Sequence, residues 1–159
     1  MEITIAAVGR LKETYWREGV AEYQKRLRPF ATVKILETLE EKMPVSPSPA
    51  QKEQCLAREG ERLIKLVPPE SYRLLLDVKG RELSSEELAK KIADLLLTGQ
   101  SRLIFIIGGP FGLSPKVREF AHERLSFSRL TFPHQMMRLI LMEQLYRAYK
   151  INRGEKYHW

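Results

Sequence analysis

The chain has 159 residues, with 43% hydrophobic and 30% charged side chains, as in an ordinary globular domain. This length predicts one domain over residues 1–159 and leaves no room for a second. The only cysteine, Cys55, excludes an internal disulfide and favours a reducing, cytoplasmic location. Residues 1–8 carry an early acidic side chain and a short apolar run, which indicates a strand and argues against a signal peptide or a membrane span.

The net charge is +7, and most of it lies in the C-terminal part of the chain. Residues 115–159 hold 9 lysines and arginines against 4 acidic residues, whereas residues 1–114 are close to neutral. A positive field of this kind favours a polyanionic partner, and nucleic acid comes first. A basic surface that only maintains solubility and an acidic protein partner remain alternatives.

The first half of the chain alternates between strand and helix patterns. Residues 3–8 are an apolar strand, residues 15–27 have helical spacing, and residues 33–36 return to strand. Three prolines within residues 42–49 predict an irregular connector. A further helix is expected over residues 50–66.

The second half continues the same alternation. Residues 72–78 predict a strand that ends in a turn at Gly80. Ser84 and Glu87 match a capping box at the start of the next helix. Residues 103–107 are nearly all apolar, which is typical of a strand buried on both faces of a parallel sheet. The order of elements predicts an α/β fold, a three-layer sandwich with a mainly parallel sheet.

The ends of two predicted strands are the expected place for a ligand. Ligands of open α/β sheets bind beyond the carboxyl ends of the strands, here residues 76–80 and 107–109. The turn at residues 108–112 has three glycines but matches neither the dinucleotide-binding nor the P-loop pattern. Pro110 lacks an amide hydrogen, so the turn favours a flat or uncharged part of a ligand over a phosphate.

Residues 125–138 are unusual for a surface segment, with two phenylalanines, three hydroxyl side chains, a proline and a histidine close together. We place the function there. All three histidines lie in the last third of the chain, but their spacing does not suit chelation, so no metal site is expected. No G-x-S-x-G motif is present, which argues against a serine hydrolase.

A predicted helix over residues 135–152 has apolar side chains nearly all the way round. Such a helix must be buried on several sides, which suggests packing against a second subunit by two-fold symmetry. Glu143 and Arg147 have the spacing of an ion pair on the polar stripe. Arg138 falls in an apolar sector, so it is either paired structurally or aimed at an anionic group in the site.

Several stretches of the chain resemble the RlmH family. They are residues 105–113, 125–138 and 143–148, together with the opening residues 8–12 and 15–16 and the tail residues Tyr157 and His158. The resemblance runs from end to end, and the 125–138 block is its most specific part. It implies a SPOUT-class methyltransferase that uses S-adenosylmethionine to methylate N3 of a pseudouridine in 23S rRNA. It also implies a homodimer and a C-terminal trefoil knot that holds the cofactor.

The same resemblance implies a set of cofactor contacts that coincide with the strand ends selected above. These contacts are Leu76, Gly108, Phe127, Ser128, Arg129, Leu130, Thr131 and Phe132.

Methyl transfer to N3 requires that this weakly acidic nitrogen lose its proton, so a base or a cation that stabilises the resulting anion would help. Candidates for the base are His134, Tyr157 and His158, and Arg138 and Arg147 could stabilise the anion or hold phosphate. Each candidate has a structural alternative. His134 could cap the helix after Pro133, and the two tail residues could belong to a frayed terminus.

Two other functions fit the same resemblance. One is a ribosome- or RNA-binding factor without catalysis, and the other is a SPOUT methyltransferase acting on a different RNA such as tRNA. The small size favours a substrate presented by an assembled ribosome, because the chain carries no appended RNA-binding domain to grip a free RNA. No membrane partner is expected.

Overall fold

The computed structural model describes residues 1–157, which form five strands and five helices. In chain order these elements are β1 (Glu2–Val8), α1 (Thr14–Leu27), β2 (Thr32–Thr38), α2 (Pro49–Leu66), β3 (Tyr72–Glu82), α3 (Ser85–Leu97), β4 (Arg102–Ile107), α4 (Pro115–Phe120), β5 (Glu123–Ser126) and α5 (His134–Asn152). The strands form one sheet in the order β2-β1-β4-β3-β5. All four neighbouring pairs run parallel, so the predicted mainly parallel sheet is confirmed.

Helices cover both faces of this sheet. Alternate residues of β1, such as Ile3 and Ile5, face a core that also contains buried residues of α1, α3 and α5. The intervening residues, such as Ala6 and Val8, face a second core with residues of α2 and α4. Because side chains alternate between the two faces of a strand, the central strands are apolar on both sides. The predicted three-layer α/β sandwich is confirmed.

Hydroxyl side chains set the starts of the two long helices that precede and follow β3. Ser84 accepts a hydrogen bond from the Glu87 N–H while the Glu87 carboxylate accepts one from the Ser84 N–H. The predicted capping box is therefore confirmed. Ser48 and Gln51 form the same arrangement at α2, where Pro49 occupies the first turn and needs no amide partner.

The predicted turn at Gly80 is wrong, because β3 continues through it to Glu82. Its pairing with β5 shifts register between Leu76 and Arg81, which leaves a bulge in the strand. A Cβ atom on Gly80 would lie 2.6 Å from the carbonyl carbon of Leu125. Glycine is required here because the backbone of β5 passes against it.

Helix α5 lies against α1 and α3. One side of it is fully buried, including Leu141, Met142 and Leu145. Apolar side chains on its other sides, such as Met136 and Ile140, are half-buried. The described part of the chain contains no helix that is long and apolar enough to cross a membrane.

Candidate functional site

A cavity of about 660 Å³ opens at the carboxyl ends of β3, β4 and β5. It begins where the pairing of β3 with β4 ends, at Leu76 and Ile107. This is the edge of a parallel sheet where ligands bind, and the volume suits a small organic molecule. The lining consists of residues 76–78, 107–113, 118, 125–128, 130–134 and 137.

The glycine turn after β4 forms one wall of the cavity. A Cβ atom on Gly108 would lie 2.7 Å from Leu113 Cγ and 2.8 Å from the Gly112 carbonyl oxygen. Gly112 has a φ of +93°, and its N–H donates a hydrogen bond of 3.1 Å to the Gly109 carbonyl. The tight closure of the turn therefore depends on glycine, and it leaves bare backbone facing the cavity.

The segment after β5 forms the opposite wall. The Ser126 hydroxyl donates to the Ser128 carbonyl at 3.0 Å, and the Ser128 hydroxyl accepts from the Leu130 N–H at 2.9 Å. These local bonds fold residues 126–130 into a turn without helix or strand. Phe127 packs against the core on one side, whereas Leu130 is 71% exposed. The segment thus presents a largely apolar surface that is held in shape by its own hydroxyl groups.

Asp77 places a carboxylate in the third wall, directly after Leu76. Its side chain is only 5% exposed, and it accepts hydrogen bonds from Arg118 Nε at 3.0 Å and from the Lys79 N–H at 3.1 Å. Burial alone would raise the pKa of Asp77. The bond from Lys79 and the charge of Arg118 outweigh burial, so its pKa is lowered and the carboxylate is charged at neutral pH.

His134 lies at the mouth of the cavity as the first residue of α5. Pro133 is the N-cap, and no side chain caps this end of the helix, so the imidazole does not serve as a cap. Burial lowers the pKa of His134, and the nearby positive charge of Arg138 lowers it further. The imidazole is therefore mainly neutral near pH 7 and able to accept a proton.

Arg138 is fully buried behind the cavity, one turn along α5 from His134. Its Nη1 donates to Glu37 Oε1 at 2.6 Å, and its Nη2 donates to the carbonyl oxygens of Val8 and Gly9 at 2.9 and 2.7 Å. The guanidinium thus joins the ends of β1 and β2 to the first turns of α5. Of the two alternatives for this residue, the structure shows the paired arrangement.

Tyr157 lies on the flank of α5, away from the cavity. Its hydroxyl donates to Glu143 Oε1 at 3.3 Å and lies 3.4 Å from the Tyr23 hydroxyl, and the Arg147 guanidinium is 4.9 Å from its ring centroid. Burial and the Tyr23 hydroxyl raise the pKa of Tyr157, so the phenol keeps its proton at neutral pH. His158, the other tail candidate, lies outside the described residues.

Seven of the eight residues implied as cofactor contacts line the cavity together. Arg129 is the exception, because its side chain is 90% exposed and faces Glu82 at 3.7 Å. The seven lining residues are Leu76, Gly108, Phe127, Ser128, Leu130, Thr131 and Phe132.

Sequence reasoning missed several charged and glycine residues around the cavity. Asp77 lies within the strand end selected from the sequence, residues 76–80, but it was given no role there, although an acidic residue at the end of an apolar strand is a usable signal. Arg118, Gly9 and Glu40 had no such signal. Arg118 reaches the cavity from α4, whereas Gly9 and Glu40 follow β1 and β2 and come close to His134 only in the folded chain.

The chain matches known methyltransferases over its whole length. A family model described as "Predicted SPOUT methyltransferase" matches residues 1–158. A protein of Moorella thermoacetica named "Ribosomal RNA large subunit methyltransferase H" is 57% identical over 158 residues, which cover 99% of both chains. A protein of the same name from Carboxydothermus hydrogenoformans is 54% identical over 158 residues, again 99% of both chains.

The fold also resembles that of a solved structure, a probable methylase family protein from Haemophilus influenzae. The TM-score is 0.54 at 14% identity, and the match covers 99% of this chain and 70% of the other. At this identity the likeness concerns the fold alone.

Proposed function

Because the chain belongs to the SPOUT methyltransferase family, we propose that it transfers a methyl group from S-adenosylmethionine to N3 of a pseudouridine in 23S rRNA. The cavity at the ends of β3, β4 and β5, with His134 at its mouth, is the observation that carries this proposal. The names of the two relatives support a substrate in the RNA of the large ribosomal subunit.

The residues of the cavity fit S-adenosylmethionine. Bare backbone at Gly108 and apolar side chains such as Leu76 and Phe127 suit a flat, uncharged ring system. Leu76, Gly108 and the segment over residues 127–132 would hold the cofactor, with Arg129 contributing through its backbone or towards the RNA. When bound, the cofactor supplies an activated methyl group.

His134 is the proposed proton acceptor. A neutral imidazole at the mouth of the cavity can take the N3 proton, which leaves the N3 lone pair to bond the methyl group that a bound cofactor would supply; the S–CH3 bond would break and its electron pair would stay on the sulfur of the leaving thioether. None of the hydrogen bonds found among residues 1–157 engages the imidazole ring. Arg138 supports this step by holding the loop after β1 and the start of α5 in place.

The enzyme is proposed to act as a homodimer. Half-buried apolar side chains on α5, such as Met136 and Ile140, are suitable for a two-fold interface. Tyr157 docks beside Glu143, about 13 Å along the helix axis from His134. We therefore propose that Tyr157 and His158 complete the site of the partner subunit and not their own.

We also propose that residues 1–159 are one SPOUT domain with a C-terminal trefoil knot, located in the cytoplasm. The three loops that would form the knot follow β3, β4 and β5 and converge on the cavity. The excess of basic residues beyond residue 115 supports RNA as the partner.

A labelled-methyl assay tests the proposal. Purified protein with labelled S-adenosylmethionine should modify large ribosomal subunits or whole ribosomes and leave free 23S rRNA and tRNA nearly unlabelled. Nuclease digestion should then place the label on N3 of a pseudouridine. His134→Ala should reduce the rate by about 10²-fold or more.

Two results would point to the alternatives. Saturable cofactor binding without labelling of any RNA would favour a factor that binds ribosomes and does not catalyse. Labelling of tRNA in place of ribosomal RNA would favour a SPOUT methyltransferase with a different substrate.

A further inference from the structure

Two ionisable side chains from distant parts of the chain, those of Glu40 and His134, lie beside Gly9. Gly9 follows β1 and has a φ of +80°. A Cβ atom at this position would lie 3.1 Å from Glu40 Oε2 and 3.6 Å from His134 Nε2. The carboxylate and the imidazole therefore border the same gap beside Gly9, and no direct hydrogen bond joins them within residues 1–157.

The Glu40 carboxylate is half-buried. Within residues 1–157 it makes no hydrogen bond and no ion pair. The adjacent carboxylate, Glu41, pairs instead with Arg58 and Arg62 of α2. The loop after β2 therefore carries two neighbouring carboxylates with different surroundings, and Glu40 is the one that faces the imidazole.

We propose that Glu40 is a positioning residue for His134, whose carboxylate orients the imidazole and stabilises its protonated form at the mouth of the cavity. The inference rests on the proposed function, in which His134 accepts the N3 proton. A cationic imidazole formed during the reaction would be stabilised by the nearby carboxylate charge.

The other influences on the pKa of His134 show what a nearby negative charge would contribute. Burial lowers the pKa of His134 most, and the positive charges of Arg138 and Lys12 lower it further, whereas Glu40 raises it. Burial and the two positive charges keep the imidazole neutral but also make it a weak base. Glu40 opposes them, so the imidazole stays neutral near pH 7 and can still hold the proton that it receives.

The position of Lys12 is tied to the same helix end. The Lys12 N–H donates to Gln135 Oε1 at 2.8 Å, which joins the loop after β1 to the first turn of α5. Arg138 bonds to the Gly9 carbonyl from the other side. The backbone around Gly9 is thus held from two directions, and a change at Glu40 should alter the imidazole without moving this loop.

The first measurement is the pKa of His134. It is determined by an NMR titration of the imidazole nitrogens in the full-length protein without cofactor. Glu40→Gln removes the negative charge and should lower this pKa by on the order of half a unit, because the opposite charge is near but partly screened by solvent. Glu40→Asp should lower it less. Glu41→Gln is the matched control, since it removes one charge from the same loop, and it should leave the His134 pKa unchanged.

The second measurement is the pH dependence of methyl transfer to ribosomes. The acid-side midpoint of kcat should move to lower pH in Glu40→Gln by the same amount as the NMR pKa. The maximal rate should fall several-fold, and binding of S-adenosylmethionine should not change. A residue with only a structural role would not shift this midpoint.

An unchanged His134 pKa in Glu40→Gln, or an equal shift in Glu41→Gln, would overturn the proposal. A lower His134 pKa in Glu40→Gln, together with an unchanged pKa in Glu41→Gln, supports the proposal. This NMR measurement does not require catalysis. If wild-type protein labels no RNA, the proposed function fails, while the NMR titration still decides whether Glu40 controls His134.

Discussion

The Arg138 guanidinium donates a 2.6 Å hydrogen bond to the Glu37 carboxylate, a residue 101 positions earlier in the chain. The arginine side chain has no exposure to solvent, while the glutamate side chain is 30% exposed. A buried cation is tolerated only when it is paired, and here the carbonyl oxygens of Val8 and Gly9 also accept from the guanidinium, while Nε has no partner among the described residues. One ion pair therefore fixes the edge of the sheet to the helix that carries His134.

Removal of either partner should destabilise the fold. We expect Arg138→Ala to lower the free energy of unfolding by about 3–5 kcal/mol, because it leaves a cavity and three unpaired acceptors. Glu37→Gln should cost less, about 2 kcal/mol, since its carboxylate is partly solvated. Urea unfolding monitored by circular dichroism measures both. Arg26→Ala, which breaks the exposed i, i+4 pair with Glu22, is the control and should have little effect.

Gly108→Ala should damage the cavity more than the fold. The added Cβ would lie within 2.8 Å of both Leu113 and Gly112, so the turn after β4 must open. We expect about a tenfold loss of affinity for S-adenosylmethionine in calorimetric titrations. Gly99→Ala is the matched control, because Gly99 has a φ of +87° and nothing within 4 Å of its Cβ position. That variant should lose about 1 kcal/mol of stability and keep its affinity, and equal affinity in both variants would contradict the prediction.

The parts of the fold that the sequence predicted are those whose patterns are local. Strands β1 and β4 are continuous apolar runs, and the start of α3 is a capping box within four residues. Strand β5 was missed because its four residues have no apolar pattern. It is a strand only through pairing with β3, and that pairing requires Gly80 to pass close to its backbone.

The same distinction applies to the site. The 125–138 segment was recognisable because its composition is unusual for a loop, and most of it lines the cavity. The approach of Glu40 and His134 to the same position beside Gly9 was not predictable, because each residue is ordinary in its own surroundings. Their proximity depends on how the loops after β1 and β2 meet the start of α5 at Gly9, which is a property of the folded chain.

His122 should make the protein less stable in mild acid. Its Nδ1 accepts a hydrogen bond from the Arg73 N–H at 2.9 Å, and burial followed by the Arg73 charge lowers its pKa below the ordinary value. The neutral form is therefore favoured in the folded state. The contribution of neutral His122 to the free energy of unfolding is fully present above about pH 6.5, the pKa in the unfolded chain. It is lost as the pH falls through the lower folded-state pKa.

This prediction is tested by the free energy of unfolding at about pH 7.5 and about pH 5.5. The wild type should lose more stability between these two values than His122→Gln, because glutamine does not titrate. Subtracting the loss in His122→Gln from the loss in the wild type removes the contribution of the other groups that titrate in this range, including His134. An identical loss in both proteins would show that His122 is not responsible.

Mixing two inactive variants should restore activity if the tail acts on the partner's site. His134→Ala protomers keep their tail, and protomers truncated before Tyr157 keep His134. In a mixed dimer only the truncated protomer's cavity then combines a base with the tail of its partner. Random pairing should recover roughly one quarter of the wild-type rate of ribosome methylation, since half of the dimers are mixed and each has one working site. If the tail serves its own cavity, the mixture will stay inactive. Full activity of the truncated protein alone would remove Tyr157 from the mechanism.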